Sequence, residues 1–244
     1  MKVHVHAIDL YWEEHGDGEP LLWLHGGMGF GADWRHVFPE PPPGFKLIAP
    51  DLRAHGASTG DSTTFSFRQC ALDVLALLRR LDIARVKAIG LSGGGIVLLH
   101  MATIDPSALE AMVVVSAPPY FPAEARAVMR QYSAAMIPAA EMSRMRERHA
   151  RGEAQIQDLL NMTRALARSY DDVCFTAPKL ATITARTLIV FGDRDPLYPV
   201  SLAFELHRSI PNANLWIIPN AGHGPVFGAA APPFRDTALA FLRG

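Results

Sequence analysis

Apolar residues in this chain fall into short continuous runs separated by longer amphipathic intervals. The runs span residues 21–24, 46–49, 86–89, 112–115, 187–191 and 215–218. Strands that are apolar without interruption belong to sheets covered on both faces, which are mostly parallel and joined by helical crossovers. The intervals supply those helices. Between 66 and 81, Phe67, Cys70, Ala71, Val74, Leu75, Leu77, Leu78 and Leu81 recur at helical spacing, which predicts one amphipathic helix. Residues 95–104 are almost wholly apolar and read as a helix buried against the sheet. Residues 201–210 and 233–242 read as two more. Strand alternating with helix predicts an α/β fold.

One segment breaks the alternation. Residues 119–178 contain no strand-like run; Pro118 and Pro119 open it and Pro178 lies at its close. It carries eight arginines, seven acids and five of the nine methionines (Met129, Met136, Met142, Met145, Met162). This pattern predicts several amphipathic helices inserted between two strands. The methionines either pack those helices together or line an adaptable binding surface, since their flexible thioethers suit both uses.

Composition narrows the classes of function. The chain has 244 residues, enough for one domain with an insertion, and 49% of them are hydrophobic. A net charge of −1 leaves no basic excess to hold nucleic acid. No apolar run reaches the length of a membrane span. No charged region followed by an apolar stretch comes after Met1, so no signal peptide is expected and the cytoplasm is the default location. Cys70 and Cys174 lie far apart without ligand-type neighbours and are expected to be two buried thiols.

The candidate chemistry starts at Gly90-Leu91-Ser92-Gly93-Gly94. This G-x-S-x-G lies where a predicted strand meets a predicted buried helix, which is the setting of a nucleophile elbow. The serine there takes a strained conformation, and the residues two before and two after it must be small. A plain glycine-rich turn would look the same in isolation. A serine hydroxyl needs a base, and the base needs an orienting acid. Gly192-Asp193-Arg194-Asp195-Pro196 follows the run 187–191, and Gly222-His223-Gly224 follows the run 215–218. Both therefore lie at carboxyl ends of parallel strands, where open α/β sheets place ligands. Asp193 or Asp195 could supply the acid. Asp195, deeper in its loop and followed by Pro196, is preferred, which leaves Asp193 to cap the turn or to pair with the neighbours of Arg194. An oxyanion needs two donors. One is the N–H of Gly93. The other is expected from the glycine-rich loop after residues 21–24, at Gly27 or at its neighbour Met28. His25, His55 and His100 read as structural. The loop near Trp34 is expected to turn an apolar side to the site.

These residues resemble the α/β-hydrolase fold superfamily, in particular its small esterase, lactonase and haloperoxidase-like members. The matching stretches are LHGGMGFGADW (24–34), PDLRAHGAST (50–59), GLSGGG (90–95), FGDRDPLYP (191–199) and NAGHG (220–224). They run over nearly the whole chain in family order. The resemblance implies a mostly parallel central sheet with helices on both faces. It also implies a core of residues 1–118 and 179–244 and a helical lid, 119–178, between strands 6 and 7. It supports Asp195 as the acid, three residues after Gly192, and Gly27 as the second oxyanion donor. A serine nucleophile separates the chain from haloalkane dehalogenases and epoxide hydrolases. The elbow also lacks the aromatic residue that follows serine in proline iminopeptidases. Gly224 stands where carbon–carbon hydrolases often carry tryptophan. The expected protein is a serine hydrolase acting on a small ester or acyl substrate with Ser92, His223 and Asp195, without metal or organic cofactor. The alternatives are a thioesterase or carbon–carbon hydrolase with the same residues, or a hydrolase-fold receptor that only binds its ligand.

Overall fold

The computed structural model describes residues 1–244. Eight strands form one sheet: β1 (Lys2–Val5), β2 (Ile8–His15), β3 (Glu19–Leu24), β4 (Phe45–Pro50), β5 (Val86–Leu91), β6 (Leu109–Val115), β7 (Arg186–Gly192) and β8 (Ala213–Ile218). Their order is β1-β2-β4-β3-β5-β6-β7-β8. All pairs from β4 to β8 are parallel. The connections carry α1 (Phe67–Arg80), α2 (Gly93–Ile104), α3 (Ala123–Gln131), α4 (Ala139–Arg148), α5 (Glu153–Leu166), α6 (Ala177–Leu180), α7 (Val200–Ser209) and α8 (Ala231–Arg243). No helix is long and apolar enough to cross a membrane.

The continuous apolar runs bury both faces in β3 to β7, while the run on the edge strand β8 is half-buried. Leu22, Leu24, Ala88, Met112, Val114 and Ile189 point into a core of 44 buried residues shared with α1, α2 and α7. Their neighbours Leu21, Trp23, Ile89, Val113 and Val190 point the other way, into a core of 18 residues closed by Trp34, Phe38 and α8. Successive side chains of a strand alternate in direction, so each parallel strand needs apolar residues at every position.

Three expectations change. The first two strands, absent from the list of runs, form an antiparallel hairpin at the sheet edge. Its turn, His6-Ala7, has φ of 42° and 64°, the left-handed pair that a tight hairpin turn uses. Helix α2 begins at Gly93, directly after Ser92, and not at 95. Cys70 is buried, but Cys174 is exposed. It sits where Tyr120 pairs with it antiparallel and Phe175 N–H reaches Pro119 O at 2.9 Å. This backbone pairing closes the neck of the segment between β6 and β7.

The helices α3, α4 and α5 between those strands pack over the carboxyl edge of the sheet. Met142, Met145, Ile156, Leu159, Leu160 and Met162 form a small third core with Met28 and Ala54 of the loops beneath. The methionines divide between helix packing and the lining of a cavity. Met142 packs inside that core, Met129 and Met162 also line the cavity described below, and Met136 stays exposed.

Candidate active site

The sheet order reverses direction between β3 and β5, so the loops after these two strands lie side by side at the carboxyl edge. The β5 loop is the G-x-S-x-G turn. Ser92 has φ 51° and ψ −113°, a region that costs about 1–3 kcal/mol for a residue with a side chain. The strain is held by Ser92 N–H to Val115 O at 2.7 Å and by Ile96 N–H to Ser92 O at 3.0 Å. The close approach expected of the flanking glycines is present. A Cβ on Gly90 would lie 2.5 Å from Gly94 O, and one on Gly94 would run into Leu24 O.

The structure brings Ser92, His223 and Asp195 together. His223 Nε2 lies 2.8 Å from Ser92 Oγ, and His223 Nδ1 lies 2.8 Å from Asp195 Oδ2. An ionised carboxylate only accepts, so Nδ1 donates to Asp195 and Nε2 is left to accept the Ser92 hydroxyl proton. The Asp195 side chain is fully buried, and its second oxygen accepts the N–H groups of Leu197 at 2.8 Å and Tyr198 at 3.1 Å. The Tyr198 ring meets His223 edge-on at 5.2 Å. Burial first, then the Asp195 charge, pushes the Tyr198 hydroxyl well above its ordinary value. Asp193 stands apart from this relay. Its Oδ1 accepts Ala221 N–H at 3.2 Å and so ties the β7 loop to the loop carrying His223.

Gly27 lies beside the start of α2: a Cβ on Gly93 would come 3.4 Å from Gly27 N. Gly93 N–H, the first of α2, has no partner within the helix, and Gly27 N–H makes no hydrogen bond. Both stand at the positive end of the α2 dipole. Such a pair can hold a developing oxyanion. Met28 N–H is also unbonded, but the Met28 side chain turns up into the third core.

Ser92, His223 and Gly27 open onto a cavity of about 380 Å³ walled by Phe65, Phe67, Phe121, Met129, Tyr132, Tyr198 and Phe227. A wider recess of about 630 Å³ adjoins it across Gly26–Met28, Leu91, Tyr132 and Phe227, and carries Asp33, His36, Glu141 and Arg144. Trp34 lines neither. It packs into the core on the opposite face of the sheet, and the apolar side chain that its loop turns to the cavity is Met28. The aromatic wall was not anticipated, because it converges from four separate loops and helices. Its one local sign was Tyr198, inside the matched stretch 191–199.

His25 is structural, as expected. Its Nδ1 donates to Gly26 O at 2.7 Å and its Nε2 accepts Leu52 N–H at 2.9 Å. His55 donates from Nδ1 to Arg53 O at 2.9 Å, while its ring also forms part of the cavity wall and its Nε2 has no partner. Ring centroids place His55 5.1 Å from His25 and 6.4 Å from His149. No three His, Cys, Asp or Glu side chains converge as metal ligands.

Burial pulls the His55 imidazole down from 6.5 to about 4, helped by His149. The folded state therefore prefers neutral His55. That preference is complete above pH 6.5, is lost progressively as pH falls from 6.5 toward about 4, and is absent below. His55→Phe removes the titration. Chemical unfolding of the two proteins at stepped pH should show wild type losing about 3 kcal/mol relative to the variant between pH 7 and 4, at about 1.36 kcal/mol per pKa unit. A constant difference across that range would mean that His55 does not carry this dependence.

Comparison with known proteins places the chain in a family. It is 28% identical over 264 residues to the dihydrolipoyllysine-residue acetyltransferase component of an acetoin cleaving system from Pseudomonas putida, covering 100% of this chain and 69% of that one. It is 26% identical to a pimeloyl-[acyl-carrier protein] methyl ester esterase from Vibrio vulnificus, over 90% of this chain and 92% of the other. A solved meta-cleavage product hydrolase from Pseudomonas fluorescens superposes with a TM-score of 0.81 at 17% identity, over 100% of this chain and 97% of that one. The sequence profile of the Alpha/beta hydrolase family matches residues 21–235, and the chain belongs to that family.

Proposed function

We propose that this protein is a serine hydrolase that cleaves a carboxylic ester of a small, largely apolar acid. The observation that carries the reading is the Ser92–His223–Asp195 relay, with both links at 2.8 Å, opening onto an apolar cavity beside two unbonded N–H groups. Ser92 Oγ attacks the ester carbonyl while His223 takes its proton. Asp195 holds the imidazole in the tautomer that accepts at Nε2 and stabilises the imidazolium once formed. Gly27 and Gly93 N–H groups hold the oxyanion. His223 then gives its proton to the leaving alcohol. A water deprotonated by His223 releases the acid from the acyl-enzyme. The chemistry needs no metal or organic cofactor. The helices between β6 and β7 act as a lid, residues 119–178, over a core of 1–118 and 179–244. The esterase activity of the Vibrio vulnificus relative agrees with this reading.

A p-nitrophenyl ester series from acetate to decanoate, run with a fluorophosphonate probe, tests the proposal. Turnover should peak among the short and middle chains and decline at decanoate, as the cavity of about 380 Å³ fills, and the probe should label Ser92. Labelling without turnover of any ester would favour a receptor. Faster turnover of thioesters or vinylogous diketones would keep the relay and reassign the bond.

A further inference from the structure

One buried side chain of the inserted segment reaches the floor of the site and takes no part in the relay or the cavity wall. His149 follows the last turn of α4. Its Nε2 donates to the Met28 carbonyl at 3.1 Å, and its Nδ1 accepts the Gly56 N–H at 2.9 Å. A carbonyl only accepts and a backbone N–H only donates, so these two partners select one neutral tautomer. Burial favours the neutral form as well. The same turn adds Ala150 N–H to Gly56 O at 3.0 Å, and Gln155 Nε2 donates to Ala54 O at 2.9 Å. The insertion is thus seated on the 54–56 loop, and His149 carries the connection across to the loop after β3.

The residue it holds there is strained. Gly29 N–H bonds Gly26 O at 3.2 Å, closing a tight turn with Gly27 and Met28 at its centre. Met28 has φ 65°, at a turn position that favours glycine when φ is positive. A methionine stays in that conformation only when its surroundings hold it. Both of its handles are held from the insertion. The carbonyl is bonded by His149, and the side chain is packed among Met142, Met145 and Leu159, with Thr163 Oγ1 3.9 Å from its sulfur.

We infer that His149 is a positioning residue for ester cleavage. By holding the Met28 turn it keeps the Gly27 N–H beside that of Gly93, so the two oxyanion donors are assembled only while the inserted helices are docked. The inference rests on the serine-hydrolase reading above. Docking then does more than cover the substrate: it completes the group that stabilises the transition state. Undocked, the protein keeps Ser92, His223 and Asp195 in place and loses one donor.

His149→Phe tests this, because it keeps the edge-on contact with Phe30 at 5.9 Å and removes both hydrogen bonds. His149→Gln restores a donor and an acceptor. His149→Asn, whose shorter amide reaches Gly56 and not Met28, preserves the seat on the 54–56 loop and separates the two bonds if the Phe variant does not fold. With p-nitrophenyl butyrate, kcat should fall about 10- to 100-fold in the Phe and Asn variants with KM nearly unchanged, as for a misplaced oxyanion donor. The Gln variant should recover most of the loss. Hydrogen exchange of residues 25–30 should quicken by roughly 10-fold in the Phe and Asn variants, with β3 and α2 unaffected. Unchanged exchange overturns the clamp whatever the activity. Faster exchange with unaltered kcat, or a rise in KM alone, overturns its role in catalysis. If wild type cleaves no ester, the ester reading and the catalytic half of the inference fall together, while exchange still decides whether His149 holds the turn.

Discussion

Ser92→Ala is expected to lower kcat for p-nitrophenyl esters by roughly 10⁵- to 10⁶-fold, as removal of the nucleophile does in a coupled serine–histidine–acid unit. That is about 7–8 kcal/mol of barrier at 1.36 kcal/mol per decade. The effect is large because no other nucleophile replaces the hydroxyl 2.8 Å from His223. Attack by water must then carry the reaction, with only the Gly27 and Gly93 N–H groups and the cavity to assist it. Alanine accepts the φ of 51° about as poorly as serine does, so the melting temperature should hardly move. Turnover within ten-fold of wild type in the folded variant would remove Ser92 from the mechanism.

The second large effect is expected from Asp195→Asn, through the tautomer of His223 and not through charge alone. Asp195 Oδ1 accepts two backbone N–H groups, from Leu197 and Tyr198. In the asparagine variant those donors hold the amide oxygen on their side, and the amide nitrogen must face His223 Nδ1. An N–H donor facing Nδ1 forces that nitrogen to accept. The proton then sits on Nε2, where it opposes the Ser92 hydroxyl. A loss of about 10⁴-fold in kcat follows, with the geometry preserved. Asp193→Asn is the control. Its Oδ1 accepts Ala221 N–H, an amide oxygen can do the same, and kcat should stay within a few-fold of wild type. Comparable losses in both variants would mean that the loop as a whole, and not the tautomer, is what matters.

These contrasts show what was legible in the sequence and what was not. The six parallel strands could be read because a strand covered on both faces, fully in β3 to β7 and partly in β8, writes an unbroken apolar run. The hairpin at the edge was missed although its signal exists. Val3, Val5, Ile8, Leu10 and Trp12 alternate with polar residues on each side of His6-Ala7, which is the period of a half-exposed antiparallel pair. Ser92, His223 and an acid at Asp193 or Asp195, with Asp195 preferred, could be named because each follows a strand, and the ends of parallel strands share one edge. Their hydrogen bonds could not be, because they depend on rotamers set by the whole loop cluster.

The sequence by itself determined the strand–helix alternation, the glycines that let the Ser92 turn close, and the chain order of the three side chains that meet there. Those are local matters, written in periodicity and in the size of single residues. Only the tertiary structure decided which aspartate faces His223, which aromatic rings wall the cavity, and that Met28 is held left-handed from the inserted helices. Each of these depends on contacts between segments far apart in the chain. Thus His149 and Met28 are separated by 121 residues and joined by one hydrogen bond. Local pattern carries no record of such a meeting, because the free energy that places the two groups together comes from packing the helices on the sheet and not from either stretch of sequence alone.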